Sequence, residues 1–303
     1  MNSYECGCDT IHDKQSHILE YHIKDILKEP DLHENQPWKQ QEILETLCWI
    51  TRETSSTVLQ DSIHLLLPPL LIVLDDYDPD YKKQGVVMVH DMILKLDASF
   101  VSSYGLDNLF LESLFKCLTY LSQERDVELL QATYPCILDL IAKVKKNRIQ
   151  LYERVLTEGV LTGFSYAGQK IKFLPILIVP IGTLYQALGI LGVQYLKALV
   201  PVLTDALCMV SSHPKLKQIH VLAAHALRVV IKTCWPRIPY YKGRIMASIA
   251  KSWTFYYEQK DQAMCDDIKQ VYQVFEAACQ GQHKLDQEAL LSFNPTLFQP
   301  LFF

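Results

Sequence analysis

From residue 14 onward, apolar side chains return three or four positions apart, and no stretch keeps the two-residue alternation of a half-buried strand. That pattern confines the chain to an all-α fold. Ile18, Tyr21, His22 and Ile26 form the first stripe, which Pro30 ends. Pro37 opens the next helix, where a missing N–H costs nothing, and Ile43, Leu44, Leu47 and Ile50 continue it. A third helix is expected from about Ser56 to Leu74, kinked or broken at Pro68 and Pro69. Others are expected near 80–96, 107–121, 126–145, 148–160, 181–211 (as two helices), 215–234, 240–257 and 261–279. Short turns join them: DDYDPD at 75–80, SSHP at 211–214 and WPRIP at 235–239. With only 11 glycines in 303 residues, the chain lacks the turns and phosphate loops that β and doubly wound folds need.

Two helix pairs look alike. Residues 66–93 (LLPPLLIVLDDYDPDYKKQGVVMVHDMI) and 199–227 (LVPVLTDALCMVSSHPKLKQIHVLAAHAL) each read as an apolar helix, a turn with proline, and a second helix. Setting Pro79 against Pro214 places Lys82 on Lys217, Val86 on Val221 and His90 on His225. A pair of this kind cannot bury its apolar face alone, so pairs stack. The expected architecture is a HEAT-like α-solenoid of stacked antiparallel helix pairs over residues 37–280. An acidic, loosely ordered segment precedes it at 1–36, and a C-terminal tail follows at 281–303.

Charge is unevenly placed. The first hundred residues carry 18 acids and 8 bases, whereas the whole chain has a net charge of −5. No carboxylate occurs between Asp205 and Glu258, a stretch holding Lys215, Lys217, Arg228, Lys232, Arg237, Lys242, Arg244 and Lys251. Same-sign charge over two or three helices suits an acidic partner, or is simply a solvated face. The negative total makes a nucleic-acid coat through residues 206–257 unlikely, although Tyr240, Tyr241, Tyr256 and Tyr257 could stack on bases. Residues 173–196 carry no charge and are long enough to span a bilayer. Their two prolines, three glycines and two glutamines favour a buried helix over a membrane anchor. Nine scattered cysteines and a start without an apolar leader point to a reducing compartment, cytoplasm or nucleus.

Catalytic patterns are missing. There is no GxGxxG, no GxxxxGK[ST] and no HExxH. Gly163-Phe-Ser165-Tyr-Ala167 approaches a nucleophile elbow but has alanine at its fifth place and no strand ahead of it. Cys6 and Cys8, with His12, His17 and His22, have ligand chemistry but the weak spacing of a loose tail. His220 and His225 lie five apart, off a common face, and His64 and His90 are expected to be buried and hydrogen-bonded. Asp75, Asp76, Asp78 and Asp80 lack the glycine and distal glutamate of a calcium loop. They suit the positive end of the following helix instead. No enzyme and no cofactor is expected.

Three blocks carry a resemblance. The first is Leu74, Asp75, Asp76, Tyr77, Tyr81, Lys82 and Gly85; the second runs from Leu188 to Pro201; the third is Cys234-Trp235-Pro236-Arg237-Ile238, followed by Trp253. Their order resembles the TELO-two-interacting protein two family over about residues 60–258. The resemblance implies a non-catalytic subunit of the TTT complex, alongside two other helical-repeat subunits. That complex works with the ninety-kilodalton heat-shock chaperone on phosphatidylinositol-kinase-related kinases. The implied setting is kinase maturation, the DNA-damage response and telomere maintenance. The other reading is a solenoid adaptor of a different kind, serving transport or another protein cargo. Candidate partner-binding residues are Asp75, Asp76, Tyr81 and Lys82 at the acidic corner, and Trp235, Arg237, Lys242 and Arg244 in the basic stretch. Trp and Arg are enriched at binding hot spots, whereas the corner residues are equally the types that cap and pack repeat turns.

Overall fold

A computed structural model describes residues 39–303, which divide into two compact units at Arg148 and Ile149. Among the described residues there are helices and turns only, so the fold is all-α. The segment 1–36, the stripe from Ile18 to Ile26, and the Cys6, Cys8, His12, His17 and His22 group lie outside them.

The first unit comprises α1 (Gln41–Glu53), α2 (Ser56–Asp61), α3 (Ile63–Asp75), α4 (Pro79–Lys95), α5 (Ala98–Ser103), α6 (Leu106–Cys117) and α7 (Asp126–Lys143). Helices α3 and α4 pack as a pair, as do α6 and α7, and α1, α4 and α7 form a row. Local chemistry explains the helix starts. Asp78 caps α4 by accepting from the Asp80 N–H at 3.0 Å, with Pro79 just inside. The Asp126 carboxylate accepts from the N–H groups of Ser122 and Gln123 at 2.9 and 2.7 Å.

Helix ends in the row are tied by lysines one repeat further on. Lys95, the last residue of α4, donates to the carbonyls of Thr51 (2.8 Å), Arg52 and Thr54 (3.0 Å) at the end of α1. Lys143, the last residue of α7, donates to the carbonyls of Ile93 and Leu96 (2.6 Å) at the end of α4. Each ammonium answers the orphan carbonyls and negative dipole end of its neighbour, so the same device sets two successive helices in register.

In the second unit, α8 (Arg148–Arg154) begins at the boundary and runs through a π-helical turn (Val155–Leu161) into α9 (Thr162–Ala167). Then come α10 (Leu174–Leu188), a 3₁₀ segment (Gly189–Tyr195), α11 (Leu196–Leu207), α12 (Leu216–Thr233) and a second 3₁₀ segment (Trp235–Tyr241). The unit closes with α13 (Lys242–Glu258), α14 (Gln262–Cys279), α15 (Lys284–Phe293) and α16 (Pro295–Phe302). Helices α11/α12 and α13/α14 pair, while α10, α12 and α14 form the row. The apolar run 174–207 has the length and hydropathy to cross a bilayer, but half of its most apolar window is buried in the protein. It is also broken at Gly189, whose φ of +55° and ψ of −133° suit glycine alone.

Several expectations need correction. Helix α3 continues through Pro68 and Pro69, and the break falls earlier, at Ser62. Residues 281–303, set apart above as a tail, form α15 and α16, and α16 packs on α13 and α14. The repeat register is one residue off: Lys82, Gly85, Val86, Val89, Met92 and Ile93 of α4 share burial with Leu216, Ile219, His220, Ala223, Ala226 and Leu227 of α12. Thus Val221 is partly exposed where Val86 is fully buried. Proline marks a turn loosely, whereas the buried stripe is dictated by the facing helix.

His220 shows what that stripe can accommodate. Its ring is buried, with Nδ1 2.6 Å from the Tyr256 hydroxyl and Nε2 3.0 Å from the Met209 carbonyl oxygen. Burial holds the imidazole below its ordinary pKa of 6.5. A folded-state pKa below the unfolded one means that the unfolded chain takes up the proton first on acidification. His220 therefore contributes its full stability above about pH 6.5, and loses it as pH falls toward and through the lower folded value. Thermal unfolding followed between pH 7.5 and pH 5 should show this acid sensitivity, reduced in His220→Gln. Equal slopes in the two proteins would refute it.

Candidate protein-interaction surface

The acidic corner of the first unit is built inward. Lys82 is 4% exposed, and its ammonium donates to the Leu74 carbonyl at 2.7 Å while lying 5.6 Å from the Tyr120 ring centroid. Asp76 is buried too: its Oδ1 accepts the Asp78 N–H at 2.8 Å and its Oδ2 lies 3.8 Å from Lys39 Nζ. Asp75 is exposed and accepts from Ser113 Oγ at 3.2 Å. Tyr81 is half-buried under the Lys39 ammonium, 5.6 Å away. Gly85 sits against Leu74, where a Cβ would come within 2.6 Å of the Leu74 Cα. Lys82, Asp76 and Gly85 thus hold α3 to α4, and the outward parts of the corner are Asp75 and the side chain of Tyr77. Arg125 partners the remaining acids, 3.3 Å from Asp78 and 3.9 Å from Asp80.

In the second unit the basic stretch does not form one face. Arg244 binds both carboxylate oxygens of Asp205 at 2.8 and 2.9 Å, and Thr204 Oγ1 at 3.0 Å. Lys217 pairs with Asp261 at 2.5 Å, and that hydrogen bond holds the Asp261 carboxyl below its usual range. Lys242 donates to the Gln282 carbonyl at 3.0 Å and lies 3.6 Å from Asp286. Acids beyond the stretch, brought back by stacking, neutralise these three. Tyr256 is buried on His220, so it lines no open stacking groove, and Tyr257 stacks on Trp253 with centroids 5.3 Å apart.

Trp235 and Arg237 stay outward. The indole is 50% exposed, and the Arg237 guanidinium lies over the Tyr240 ring at 5.2 Å, with Tyr240 itself 76% exposed. Cys234 Sγ lies 3.9 Å from the Gly189 carbonyl oxygen, which brings the starts of the two 3₁₀ segments side by side. The other segment exposes Ile190 and Leu191. The result is a rim of four large apolar or aromatic groups and an arginine, the composition of a binding hot spot. Ile190 and Leu191 escaped the sequence reading because they lie in an apolar run that looks uniformly buried.

Ser165 lies inside α9, donating to the Leu161 carbonyl at 3.1 Å, with no strand to raise it. Among the described residues, no three His, Cys, Asp or Glu side chains gather as a metal site. His64 is exposed, contrary to expectation, and His90 is half-buried, 2.8 Å from Asp139. Burial pushes the Cys117 and Cys279 thiols up to about 11, far from the thiolate a nucleophile needs.

Residues 14–210 match the model of the Tti2 family. The chain belongs to the Tti2 family. The match holds the first two sequence blocks, whereas Trp235 and Arg237 lie past its end. Among curated Tti2-type relatives, TELO2-interacting protein 2 of Rattus norvegicus is 25% identical over 227 residues. The proteins of that name from Mus musculus and Homo sapiens are 25% and 23% identical over 231 residues. In each case 70% of this chain aligns, and it spans 42% of the relative's length. A designed armadillo repeat protein, solved with the peptide (KR)4, is similar over 84% of this chain and 98% of its own. Its TM-score is 0.51 and its sequence identity 16%, a likeness of fold. For this Tti2-family chain, the α-solenoid class expected from the sequence is therefore the one observed.

Proposed function

We propose that this chain is a non-catalytic scaffold subunit of a TTT-type co-chaperone assembly. In that role it joins two other helical-repeat subunits and supports maturation of phosphatidylinositol-kinase-related kinases with the ninety-kilodalton heat-shock chaperone, in cytoplasm and nucleus. Family membership supports the assembly, since the relatives carry the name of TELO2-interacting proteins. The observation that carries a docking role is the rim of Trp235, Arg237, Tyr240, Ile190 and Leu191, large side chains left in water next to a guanidinium. Such groups contribute most when a partner covers them.

The test is the double variant Trp235→Ala with Arg237→Glu, tagged and gently purified from its own cells. Recovery of the two large helical-repeat partners should fall at least about tenfold, the scale of one hot-spot residue, with circular dichroism unchanged. Unchanged recovery would remove the rim from the interface, and lost helicity would show that Trp235 plugs the turn. A wild-type preparation that brings transport factors instead of giant kinases would favour the adaptor of another kind.

A further inference from the structure

The face of the helix row in the second unit carries a charge pattern that the intramolecular contacts leave unanswered. On α12, His225, Arg228 and Lys232 stand three and four residues apart, so they share one stripe. They line a cleft of about 400 Å³ together with Gln186 of α10, Val229 and Thr233. Helix α10 has no charged residue at all. From α14, the group meeting the stripe is Gln270, whose side-chain oxygen accepts from Arg228. Of the acids of α14, Asp266 accepts from Gln262 at 2.8 Å and Glu276 accepts from the Tyr272 hydroxyl at 3.3 Å, toward His283, while Asp267 is half-buried three residues before Gln270. Lys232 also borders a second cleft, of about 310 Å³, walled by Ile231, Trp235, Val274, Ala277 and Ala278. One groove therefore passes along α12 from a cationic part to an apolar, aromatic part.

We propose that this groove binds an acidic protein segment, with carboxylates on Arg228, Lys232 and His225 and a bulky apolar side chain in the seat beside Trp235. Spacing fits a polypeptide. His225 to Lys232 is seven residues of helix, roughly 10 Å at about 1.5 Å each, which about three extended residues span at about 3.3 Å each. The apolar seat comes about one turn later, so an acid-x-x-acid-x-apolar order fits. Arg228 and Lys232 stand one turn apart on the same stripe and repel each other, an arrangement that a bound anion relieves. A segment with side chains of both kinds uses both clefts, whereas a phosphate chain uses only the first. The inference rests on the groove's charge and not on the identity of the assembly.

The experiment is fluorescence anisotropy with the full chain and a labelled probe peptide that carries glutamate at its first and fourth positions, phenylalanine at its sixth and glycine at the others. The same peptide with glutamine for glutamate and a single-stranded oligonucleotide serve as competitors. The glutamate peptide should bind, weaken as salt rises, and lose at least about fivefold affinity for Arg228→Gln with Lys232→Gln. Lys251→Gln, an exposed lysine of α13, should bind within about twofold of the wild type. Trp235→Ala should weaken this peptide but not one with alanine for phenylalanine. No binding, equal binding of the glutamine peptide, an unaffected double variant, or tighter binding of the oligonucleotide would each overturn the proposal. Circular dichroism of the double variant guards against misfolding; if it unfolds, the salt dependence and the glutamine peptide decide.

Discussion

Replacing Gly85 by alanine is expected to destabilise the first unit by about 2–3 kcal/mol, although alanine is the better helix former by about 1 kcal/mol. The added Cβ would stand 2.6 Å from Leu74 Cα and 2.7 Å from Leu74 N. These are backbone atoms of α3, and no rotamer change clears them. Relief requires moving α3 from α4, which stretches the 2.7 Å hydrogen bond from the buried Lys82 ammonium to the Leu74 carbonyl. A charged donor left unsatisfied in the interior adds about 1–3 kcal/mol, so steric and polar losses outweigh the helix-propensity gain. Hydrogen exchange of the α3 and α4 amides, with urea unfolding, measures the effect. A Gly85→Ala variant as stable as the parent would mean that the two helices can separate freely. The corner would then have to be reinterpreted as a surface for a partner.

The second large effect is expected at Trp253, the largest fully buried side chain among the described residues. Its indole N–H donates to the Leu297 carbonyl at 2.7 Å and so fastens α16 to α13. Its ring stacks on Tyr257 with the planes 28° apart. Trp253→Ala removes a fully buried aromatic and should cost about 3–5 kcal/mol in the second unit. Trp253→Phe keeps most of the packing and loses one hydrogen bond, about 0.5–1.5 kcal/mol. Limited proteolysis reads the local consequence, because cleavage after residue 280 should appear early in the alanine variant. If α15 and α16 stay protected while global stability falls, the tie to Leu297 is not what holds them.

Both effects are stability effects, and that sorts the candidate residues. Lys82, Asp76 and Gly85 belong to the packing of α3 on α4, while Arg244 and Lys242 are bound to Asp205 and Asp286. What remains for a partner is the Trp235 and Arg237 rim and the His225, Arg228 and Lys232 stripe in the second unit, with Asp75 and Tyr77 at the corner of the first.

The helical period was legible because it is local. Residues three and four apart share a face whatever the rest of the chain does, so most helix positions and the all-α class followed from order alone. Helix ends were less legible: Pro68 and Pro69 sit inside α3, and Ser62 breaks the chain instead. The fate of each charge was illegible. Arg244 meets an acid 39 residues back, Lys217 one 44 residues ahead, and Trp253 a carbonyl 44 residues ahead. Those separations are one repeat long, and only the stacking of pairs closes them. The sequence by itself therefore determined that this chain is a stack of amphipathic helices. Tertiary structure alone decided which cations are spent on neighbouring repeats and which face water, because that depends on contacts across helices rather than along one.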